Sequence, residues 1–522
     1  MSREKAARHS PEANDVLAQA ARLHQSGQLE QARALYLQIL STDPRNAACL
    51  HLLGLEEYQA GRVQAALHML DRAVALEPDN SELQMNRARA LEATGAMEAA
   101  LAAARQVIRL DPARGEAWAL LGRVCLQMQQ WEQAREAWVR VVALEPHATD
   151  PLLGLARAFY GLGEWAQAID CYEKVLAFDP GAVVCWHDLG TIHTLCGHYA
   201  EAERCYRRLL AQAPDRHGTR LQLAMVQLLQ GNFAEGLVNF EARNGPADPA
   251  RWQGEAMVGQ RLLLYAEQGY GDTIQCVRFA PAVARSGGEV VLGVTPPLTR
   301  LLRASFPAMI VVEDAAEAQA ARSCALMSLP HRLGVRAETI PAVVPYLRVP
   351  EEARVKAKRI AWAANKLRVG LVWAGNPAHV LDRFRSISLE ALRPLCAVPG
   401  VQFYSLQMGA GAAQLEQSDL PIIDLRAQID DMADTAALLE QLDLLIAVDT
   451  AVLHLAGALA RPAWMLTPAA PDWRWLLERE DSPWYPTLRL FRQRRLGDWA
   501  PVIARVAGAL RERAQQKFEE TL

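Results

Sequence analysis

The sequence has no apolar run long enough to cross a lipid bilayer, because charged residues interrupt every apolar segment. Its N-terminal stretch, MSREKAARHSPEAND, has no apolar core of the kind that a secretory signal peptide requires. Lys and Arg number 55 against 59 Asp and Glu, so the formal net charge is −4 and no positive excess favours nucleic acid or an anionic membrane. These absences predict a cytoplasmic protein with no membrane span and no nucleic-acid partner.

Cysteine patterning excludes two further classes. The nine cysteines form no CxxC pair, and no Cys and His residues cluster at the spacing of a zinc site. An odd number of cysteines without an export signal predicts free thiols in a reducing compartment. We therefore expect neither a disulfide scaffold nor a metal ion. The 522 residues exceed what one hydrophobic core organises, so several domains are expected.

The first half of the chain repeats every 34 residues. Prolines that keep this step are Pro44, Pro78, Pro112, Pro146, Pro180 and Pro214. Glycines that keep it are Gly27, Gly61, Gly95, Gly163, Gly197 and Gly231, with Gln129 as the one substitution. Small residues at a third place are Ala32, Ala66, Ala100, Ala134, Ala168, Ala202 and Gly236. A mostly aromatic track contains Tyr36, Leu70, Ala104, Trp138, Tyr172, Tyr206 and Phe240.

Each repeat is expected to form a hairpin of two helices. Proline ends a helix because it lacks an N–H group and clashes with the preceding turn, and glycine permits the tight turn between two helices. The small residues mark close helix contacts, and the large ones fill the gaps between hairpins. We predict seven hairpins over residues 13–249, after a tail at 1–12. The pattern resembles the tetratricopeptide repeat, which implies a superhelix whose concave face binds a peptide or protein.

Three arginines keep the same step on the first helix of successive repeats, namely Arg89, Arg123 and Arg157. An acid lies two helical turns before each arginine, so acid and arginine share a face. One interpretation is a set of salt bridges between repeats. The other is a row of guanidinium groups that lines an acceptor groove and grips a partner's backbone or acidic side chains.

The periodicity stops after Phe240. Residues 244–259 contain several Gly and Pro and are interpreted as a linker or cap. Short apolar runs alternating with amphipathic stretches then predict two α/β lobes, at 250–350 and 351–522, with a ligand cleft between them. The predicted strands are 262–266, 290–294, 369–373, 402–406, 421–424, 444–448, 463–466 and 488–491. Two more short apolar segments lie at 309–312 and 325–329. A proline-rich connection begins at Ile340, and a final helix runs from Pro501 to about Lys517.

The first polar loop of this half contains EQGYGDT, from Glu267 to Thr273. It follows a strand and opens a helix. Gly269 and Gly271 let the backbone approach a ligand closely. Asp272 lies at the N-terminus of the helix, where it is interpreted either as a structural cap or as a general base that faces the cleft.

Two further loops lie in the second lobe. The loop after strand 369–373 carries Asn376, His379, Asp382, Arg383 and Arg385. One interpretation is that its two arginines bind a diphosphate. The alternative is an exposed basic loop with no ligand.

Strand 444–448 delivers Asp449, Thr450 and Ala451 to the start of a helix, with His454 one turn in. Backbone N–H groups and the helix dipole make such a start an anion site. The alternative is that His454 is a packing residue.

These segments together resemble glycosyltransferase family 9, which includes the lipopolysaccharide heptosyltransferases, over about residues 260–520. The resemblance rests on the GxGD loop, a basic residue before S-I-S-L, and a strand that ends in D-T-A-x-x-H-L-A. Repeats followed by a two-lobed domain are more distantly similar to O-linked N-acetylglucosamine transferases. The whole layout is similar to bacterial tetratricopeptide-repeat glycosyltransferases, some of which modify flagellin. The segment from Trp473 to Pro486 looks typical of that group, with no chemical role evident.

The resemblance implies an all-α tetratricopeptide-repeat superhelix followed by a GT-B fold, in which two Rossmann-like domains face a cleft. It implies Asp272 as the catalytic aspartate and Arg385 in place of a lysine that contacts the donor diphosphate. Asp449 and Thr450 match a D-[ST]-G segment, Ala451 replaces its glycine, and His454 matches the family histidine. The catalytic set expected is therefore Asp272, Arg385 and His454. The donor-binding set expected is Gly269, Gly271, Asn376, Arg383, Arg385, Ser386, Gln407, Asp449, Thr450, Ala451 and His454.

The preferred hypothesis is an inverting glycosyltransferase that needs no cofactor and no metal. A nucleotide-diphosphate sugar would be the donor, and a flagellin-like protein presented by the repeats would be the acceptor. One alternative is a repeat scaffold for protein–protein interaction with a degenerate transferase domain. Another is a transferase that acts on a saccharide.

Overall fold

The computed structural model describes residues 11–245, 248–378 and 382–521. The tail predicted at 1–12 lies almost entirely outside these residues. The chain divides into two compact units, residues 1–185 and 186–522. This division differs from the boundary predicted at 249–250.

Helices α1 to α14 form the repeats. Their bounds are α1 Pro11–Gln25, α2 Leu29–Thr42, α3 Ala47–Gln59, α4 Val63–Leu76, α5 Ser81–Ala93, α6 Met97–Leu110, α7 Gly115–Gln127, α8 Trp131–Leu144, α9 Thr149–Leu162, α10 Trp165–Phe178, α11 Val183–Leu195, α12 Tyr199–Gln212, α13 His217–Leu229 and α14 Phe233–Phe240. Helix α11 contains the division between the two units. Helices such as α3 and α4, α7 and α8, and α13 and α14 pack as hairpins, which confirms the predicted repeat unit.

The turn inside each hairpin places one residue in the left-handed region of the backbone. The glycines there have φ between 75° and 82° and are Gly27, Gly61, Gly95, Gly163, Gly197 and Gly231. Gln129 adopts φ 56° at the equivalent place. Glycine enters this region without steric cost, whereas a Cβ costs about 1–2 kcal/mol. The predicted role of the glycines is therefore confirmed, and Gln129 is strained.

Replacing Gln129 with glycine is expected to raise the free energy of unfolding of the first unit by about 1 kcal/mol, because the Cβ that opposes this φ is removed. Urea-induced unfolding measures the change. Gln127→Gly is the matched control, since Gln127 is also exposed but ends α7; glycine there is expected to cost up to about 1 kcal/mol. A loss of stability in both variants would contradict the strain at Gln129.

Small residues let the helices of the repeats approach closely. The alanines at the predicted contact place are all fully buried and are Ala32, Ala66, Ala100, Ala134, Ala168 and Ala202. The indole of Trp138 lies against two glycines of the first unit. A Cβ added at Gly122 would lie 2.7 Å from the Trp138 ring, and one at Gly154 would lie 2.3 Å from it. Size complementarity between the tracks therefore holds neighbouring hairpins together.

The second unit contains two parallel sheets. Their strands are β1 Arg261–Tyr265, β2 Glu289–Gly293, β3 Ile310–Val312, β4 Arg322–Ala325, β5 Leu367–Val372, β6 Val401–Ser405, β7 Ile422–Asp424, β8 Leu444–Ala447, β9 Ala463–Thr467 and β10 Leu488–Arg492. The first sheet has the order β3-β2-β1-β4, and the second has β10-β9-β8-β5-β6-β7. Every pairing of these strands is parallel.

The eight predicted strands are confirmed to within about two residues. Of the two further apolar segments, 309–312 contains β3, whereas 325–329 contains only the last residue of β4, because the chain turns into a short helix at Leu329–Arg332. Residues 326–329 are buried, and all but Ser328 are apolar; a short run of this kind is compatible with a buried strand or a buried helical turn.

Helices cover both sheets. They are α15 Tyr270–Cys276, α16 Ala280–Ala284, α17 Pro296–Ser305, α18 Leu329–Arg332, α19 Glu351–Lys358, α20 Asp382–Arg385, α21 Arg393–Cys396, α22 Ala413–Glu416, α23 Met432–Gln441, α24 Ala451–Ala458 and α25 Ala500–Thr521. Helix α25 confirms the predicted final helix and packs on α21. Within the described ranges, no helix is both long and apolar enough to cross a membrane.

The last hairpin, α13 and α14, belongs to the second unit because its apolar and charged residues pack on the α/β part. Phe233 and Phe240 are buried in the same core as Trp473 and Trp484. Just after α14, the Arg243 guanidinium donates to the Glu267 carboxylate over 2.7 Å, close to β1. The boundary predicted at 249 was placed where the 34-residue period ends. It therefore did not take account of the contacts between the last hairpin and the α/β part.

Candidate functional site

The order of the second sheet defines where a ligand is expected to bind. Read from β7, its strands run in chain order third, second, first, fourth, fifth and sixth, which is the doubly wound order of dinucleotide-binding domains. The order reverses between β5 and β8, whose last residues Val372 and Ala447 are paired. Ligands of such sheets bind outside the carboxyl ends of the strands at this reversal. The loops that leave β5 and β8 are the two second-lobe loops singled out in the sequence.

The loop after β5 is held by a small hydrogen-bonded cluster. The Arg385 Nε donates to Asp382 Oδ1 over 2.9 Å, and the Ser386 hydroxyl donates to Asp382 Oδ2 over 2.9 Å. The Gly375 backbone N–H donates to the Ser386 Oγ. A Cβ at Gly375 would lie 2.5 Å from Arg385 Nη2, so only glycine lets the guanidinium lie over the loop. Arg385 therefore lies beside the point where the strand order reverses. Its hydrogen bond to Asp382 uses Nε and leaves the two Nη groups of the guanidinium for other partners.

The other predicted residues near β5 have different surroundings. Asn376 and Arg383 are exposed, and the Arg383 guanidinium lies 4.5 Å from the Phe384 ring. His379 falls outside the described residues. Gln407, which follows β6, is buried, and its amide bonds to the backbone of Trp373, Ala374 and Met408. Gln407 thus ties the β5 and β6 ends together, and its assignment to donor binding stays a prediction.

The loop after β8 places Asp449 and His454 side by side. The His454 Nε2 lies 3.6 Å from Asp449 Oδ1, and its Nδ1 is 2.9 Å from the Tyr485 hydroxyl. Burial alone would raise the pKa of the Asp449 carboxyl, but His454, Trp475 and Arg474 outweigh it and lower the pKa. Thr450 precedes α24, and Ala451 is its first residue. This loop has an ionised carboxylate beside a helix N-terminus.

Helix α15 brings the first-lobe residues to α24. Asp272 Oδ2 accepts the Gly269 backbone N–H over 2.9 Å, so Asp272 caps α15. Gly271 lies on the His454 ring, since a Cβ there would be 2.8 Å from His454 Cδ2. The structure thus brings Gly269, Gly271 and Asp272 to the same place as Ala451 and His454, across the two sheets.

Sequence reasoning missed the residues that join these groups. The turn from Trp473 to Trp475 contacts both candidate carboxylates. The Arg474 Nη2 donates to Asp272 Oδ1 over 2.5 Å, and the Trp475 indole N–H donates to Asp449 Oδ2 over 2.8 Å. The only signal in the sequence was the unusual Trp-Arg-Trp string, whose neighbours in space were unknown.

Arg474 is a buried cation between two acids. Its Nη1 donates to Asp472 Oδ1 over 2.8 Å, and its Nε donates to the Gln275 amide oxygen over 2.5 Å. Burial alone would lower the pKa of Arg474, but the charges of Asp472 and Asp272 raise it above its ordinary value. The guanidinium therefore stays charged and holds Asp272 in one position.

A cavity of about 490 Å³ lies at the carboxyl edge of the first sheet and is lined by Tyr265, Thr295, Glu313 and Ser323, among others. At the second sheet, His454 and Trp475 are buried. The described part of the chain contains no group of three or more His, Cys, Asp or Glu side chains arranged to hold a metal ion.

Two of the three repeat arginines are engaged by acids of neighbouring repeats. The Arg89 Nη2 lies 3.1 Å from Glu116 Oε2, and Arg123 donates twice to the Glu92 carboxylate, over 2.8 and 2.9 Å. Arg157 is exposed and forms no ion pair with the described residues of the first unit. This geometry favours salt bridges between repeats at Arg89 and Arg123. The acceptor-groove role of the three arginines stays a prediction.

Comparison with known proteins places repeats in the first half of the chain. A family model of the tetratricopeptide repeat matches residues 51–115 and 119–183, and two others match 93–138 and 185–217. Protein FlbA of Caulobacter vibrioides is 32% identical in an alignment 329 residues long, which covers 55% of this chain and 54% of FlbA. The chain thus spans about half the length of this curated relative.

Solved structures also resemble parts of the chain. A MamA protein is 22% identical with a TM-score of 0.31, covering 32% of this chain and 92% of MamA. A tetratricopeptide repeat protein from Parabacteroides merdae is 17% identical with a TM-score of 0.37, covering 46% of this chain and 95% of its own. The family models show that the chain contains tetratricopeptide repeats, which in general bind peptide or protein partners, and a region of parallel sheets follows them.

Proposed function

We propose that the α/β half is a GT-B glycosyltransferase domain that takes its donor as a nucleotide-diphosphate sugar, and that the repeats bind the protein that receives the sugar. The observation that carries the proposal is the strand order of the second sheet, whose reversal point lies between the loops of Arg385 and Asp449. These loops combine a guanidinium with the N-terminus of α24, the two features that bind a diphosphate without a metal.

The proposed reaction is a single displacement. The oxygen of an acceptor hydroxyl attacks the anomeric carbon, the bond from that carbon to the diphosphate oxygen breaks, and the hydroxyl proton passes to the Asp272 carboxylate. Arg385 and the N–H groups at the start of α24 stabilise the charge that grows on the departing diphosphate. The Asp272 side chain is 22% exposed, so its carboxylate is reachable from the solvent side.

A second candidate function is a protein-binding scaffold. It is favoured by the hydrogen bonds that the two candidate carboxylates already form with the protein. Asp272 bonds to Arg474 and Gly269, and Asp449 bonds to Trp475. In that case the repeats bind the partner, and the α/β half is a rigid support that binds no donor.

Nucleotide binding separates the two functions. A nucleoside diphosphate at 100 times its Kd is expected to stabilise the protein by about 2.7 kcal/mol, and a thermal-shift screen with UDP, GDP, ADP and CDP detects it. Arg385→Gln is expected to weaken binding roughly tenfold or more, because a charge-assisted hydrogen bond is lost.

The matched control is Arg393→Gln, since Arg393 is exposed and pairs with Glu390 and Asp419. It is expected to bind the nucleotide as the wild type does. If none of the four nucleotides changes the melting temperature of the wild type, the transferase is refuted and the scaffold function is favoured.

A further inference from the structure

Three consecutive residues, Trp473, Arg474 and Trp475, contact three different parts of the second unit. We call them the WRW turn. They lie in a single helical turn that is capped by Asp472, whose Oδ1 accepts the Arg474 backbone N–H over 3.0 Å. All three side chains are buried.

Trp473 joins the WRW turn to the last repeat hairpin. Its ring centroid lies 5.9 Å from that of Phe233 and 6.0 Å from that of Phe240, both on α14. Trp484 completes the group, 5.9 Å from Trp473 in an edge-to-face arrangement. Aromatic pairs at such distances add specific attraction to the burial of their surfaces. The orientation of the WRW turn is therefore tied to α14.

Arg474 joins the WRW turn to α15. Two of its nitrogens bond to side chains of that helix, Nη2 to Asp272 and Nε to Gln275. The planar guanidinium sets a direction as well as a distance, which an ammonium group does not. Asp272 has no other side-chain donor among the described residues, so Arg474 and the Gly269 backbone N–H together hold the two oxygens of its carboxylate.

Trp475 joins the WRW turn to the start of α24. Its indole N–H bonds to Asp449, and its ring lies 5.3 Å from that of His454 and 6.4 Å from that of Tyr485. Asp449 is thus held between Trp475 and His454. The two candidate carboxylates, which come from different sheets, are positioned by adjacent residues of one turn.

We propose that Arg474 and Trp475 are positioning residues, which set the Asp272 and Asp449 carboxylates, and that Trp473 couples their placement to the last repeat hairpin. The catalytic consequence rests on the proposed function, whereas the positioning itself does not. A partner that moves α14 would move the WRW turn and, through it, both carboxylates.

Hydrogen exchange of the protein without ligand tests the positioning. The Gly269 N–H is held by Asp272 Oδ2, so loss of Arg474 is expected to speed its exchange. In Arg474→Met, exchange over residues 266–276 is expected to rise about tenfold or more. In Trp475→Phe, which keeps most of the ring and removes the N–H donor, the rise is expected over residues 449–453 instead.

Arg300→Met is the matched control, because Arg300 also bonds to two carboxylates, those of Asp431 and Asp434, at the junction of the same two sheets. It is expected to leave exchange at 266–276 unchanged. Faster exchange at 266–276 in all three variants would show general destabilisation and overturn the proposal, as would no change in Arg474→Met. Arg474→Lys, which keeps the charge, is expected to fall between the wild type and Arg474→Met.

Kinetics test the consequence separately. If the wild type transfers sugar, Trp473→Leu and Arg474→Lys are expected to lower kcat at least tenfold with little change in the KM for the donor. A change confined to KM would overturn the positioning role. If the wild type neither binds nor transfers a donor, the proposed function fails, and the exchange result still decides whether the WRW turn positions the two carboxylates.

Discussion

Asp272→Asn is expected to lower sugar transfer by about 10²–10⁴-fold, because the amide cannot accept the proton of the acceptor hydroxyl. Asparagine keeps the size of the side chain and one oxygen that accepts a hydrogen bond. Intact-mass spectrometry of a candidate acceptor, such as a flagellin co-expressed with the wild type or the variant, measures the sugar adduct directly. Nucleotide binding is expected to remain, since Asp272 lies on α15, which follows the first sheet's β1, whereas Arg385 lies on α20, which follows the second sheet's β5.

The control for Asp272→Asn is Asp472→Asn. Both carboxylates bond to Arg474, and their side chains are 22% and 25% exposed, respectively. Asp472→Asn removes the negative charge of the other acid that pairs with Arg474 and leaves the proposed base unchanged. The amount of sugar adduct formed by this variant is therefore expected to stay within about tenfold of the wild type. Equal losses in the two variants would mean that Asp272 acts through the ion pair alone. An undiminished adduct in Asp272→Asn would refute the base assignment.

Trp484→Ala is expected to lower the free energy of unfolding of the second unit by about 3–5 kcal/mol, the cost of truncating a buried tryptophan. Trp484 is fully buried, and its ring packs against Phe233, Phe279 and Trp473. Its backbone carbonyl also accepts a hydrogen bond from the Arg278 guanidinium. The cavity would open between the last repeat hairpin and the α/β part.

Urea-induced unfolding followed by circular dichroism measures this loss. Trp499→Ala is the control, because Trp499 is only half-buried and borders the core beneath α25. Its loss is expected to be less than about half that of Trp484→Ala, in proportion to the apolar surface it buries. A loss below about 1 kcal/mol in Trp484→Ala would show that the aromatic cluster does not hold the last hairpin in place.

The repeats were predictable because their structure is local. A helix, its tight turn and its partner helix lie within one period of 34 residues, and the positions of glycine and alanine specify the turn and the close contact directly. Gln129 shows how strong this specification is, since it adopts the left-handed conformation that the glycines have in the other repeats. Most strands were predictable as well, since short apolar runs bounded by turn residues leave few alternatives.

The site was predictable in part. The loops that carry Arg385 and Asp449 follow neighbouring strands of one parallel sheet, and the carboxyl ends of such strands meet at one edge, so the closeness of these two loops follows from the fold. Asp272 follows a strand of the other sheet, and its place beside α24 did not follow from this rule. What each side chain bonds to did not follow. Gln407 bonds to the backbone of its own sheet, for example, where the sequence predicted donor binding. The pair of Arg89 with Glu116, in contrast, agrees with the interpretation of salt bridges between repeats.

By itself, the sequence determined the repeat hairpins, their turns and the order of strands and helices, because these depend on residues within one or two periods of each other. Only the tertiary structure decided that the last hairpin packs with the α/β part and that Arg474 meets Asp272, a residue 202 positions earlier in the chain. Such contacts depend on complementary shape and charge between distant surfaces, and a local pattern carries no record of which surfaces meet.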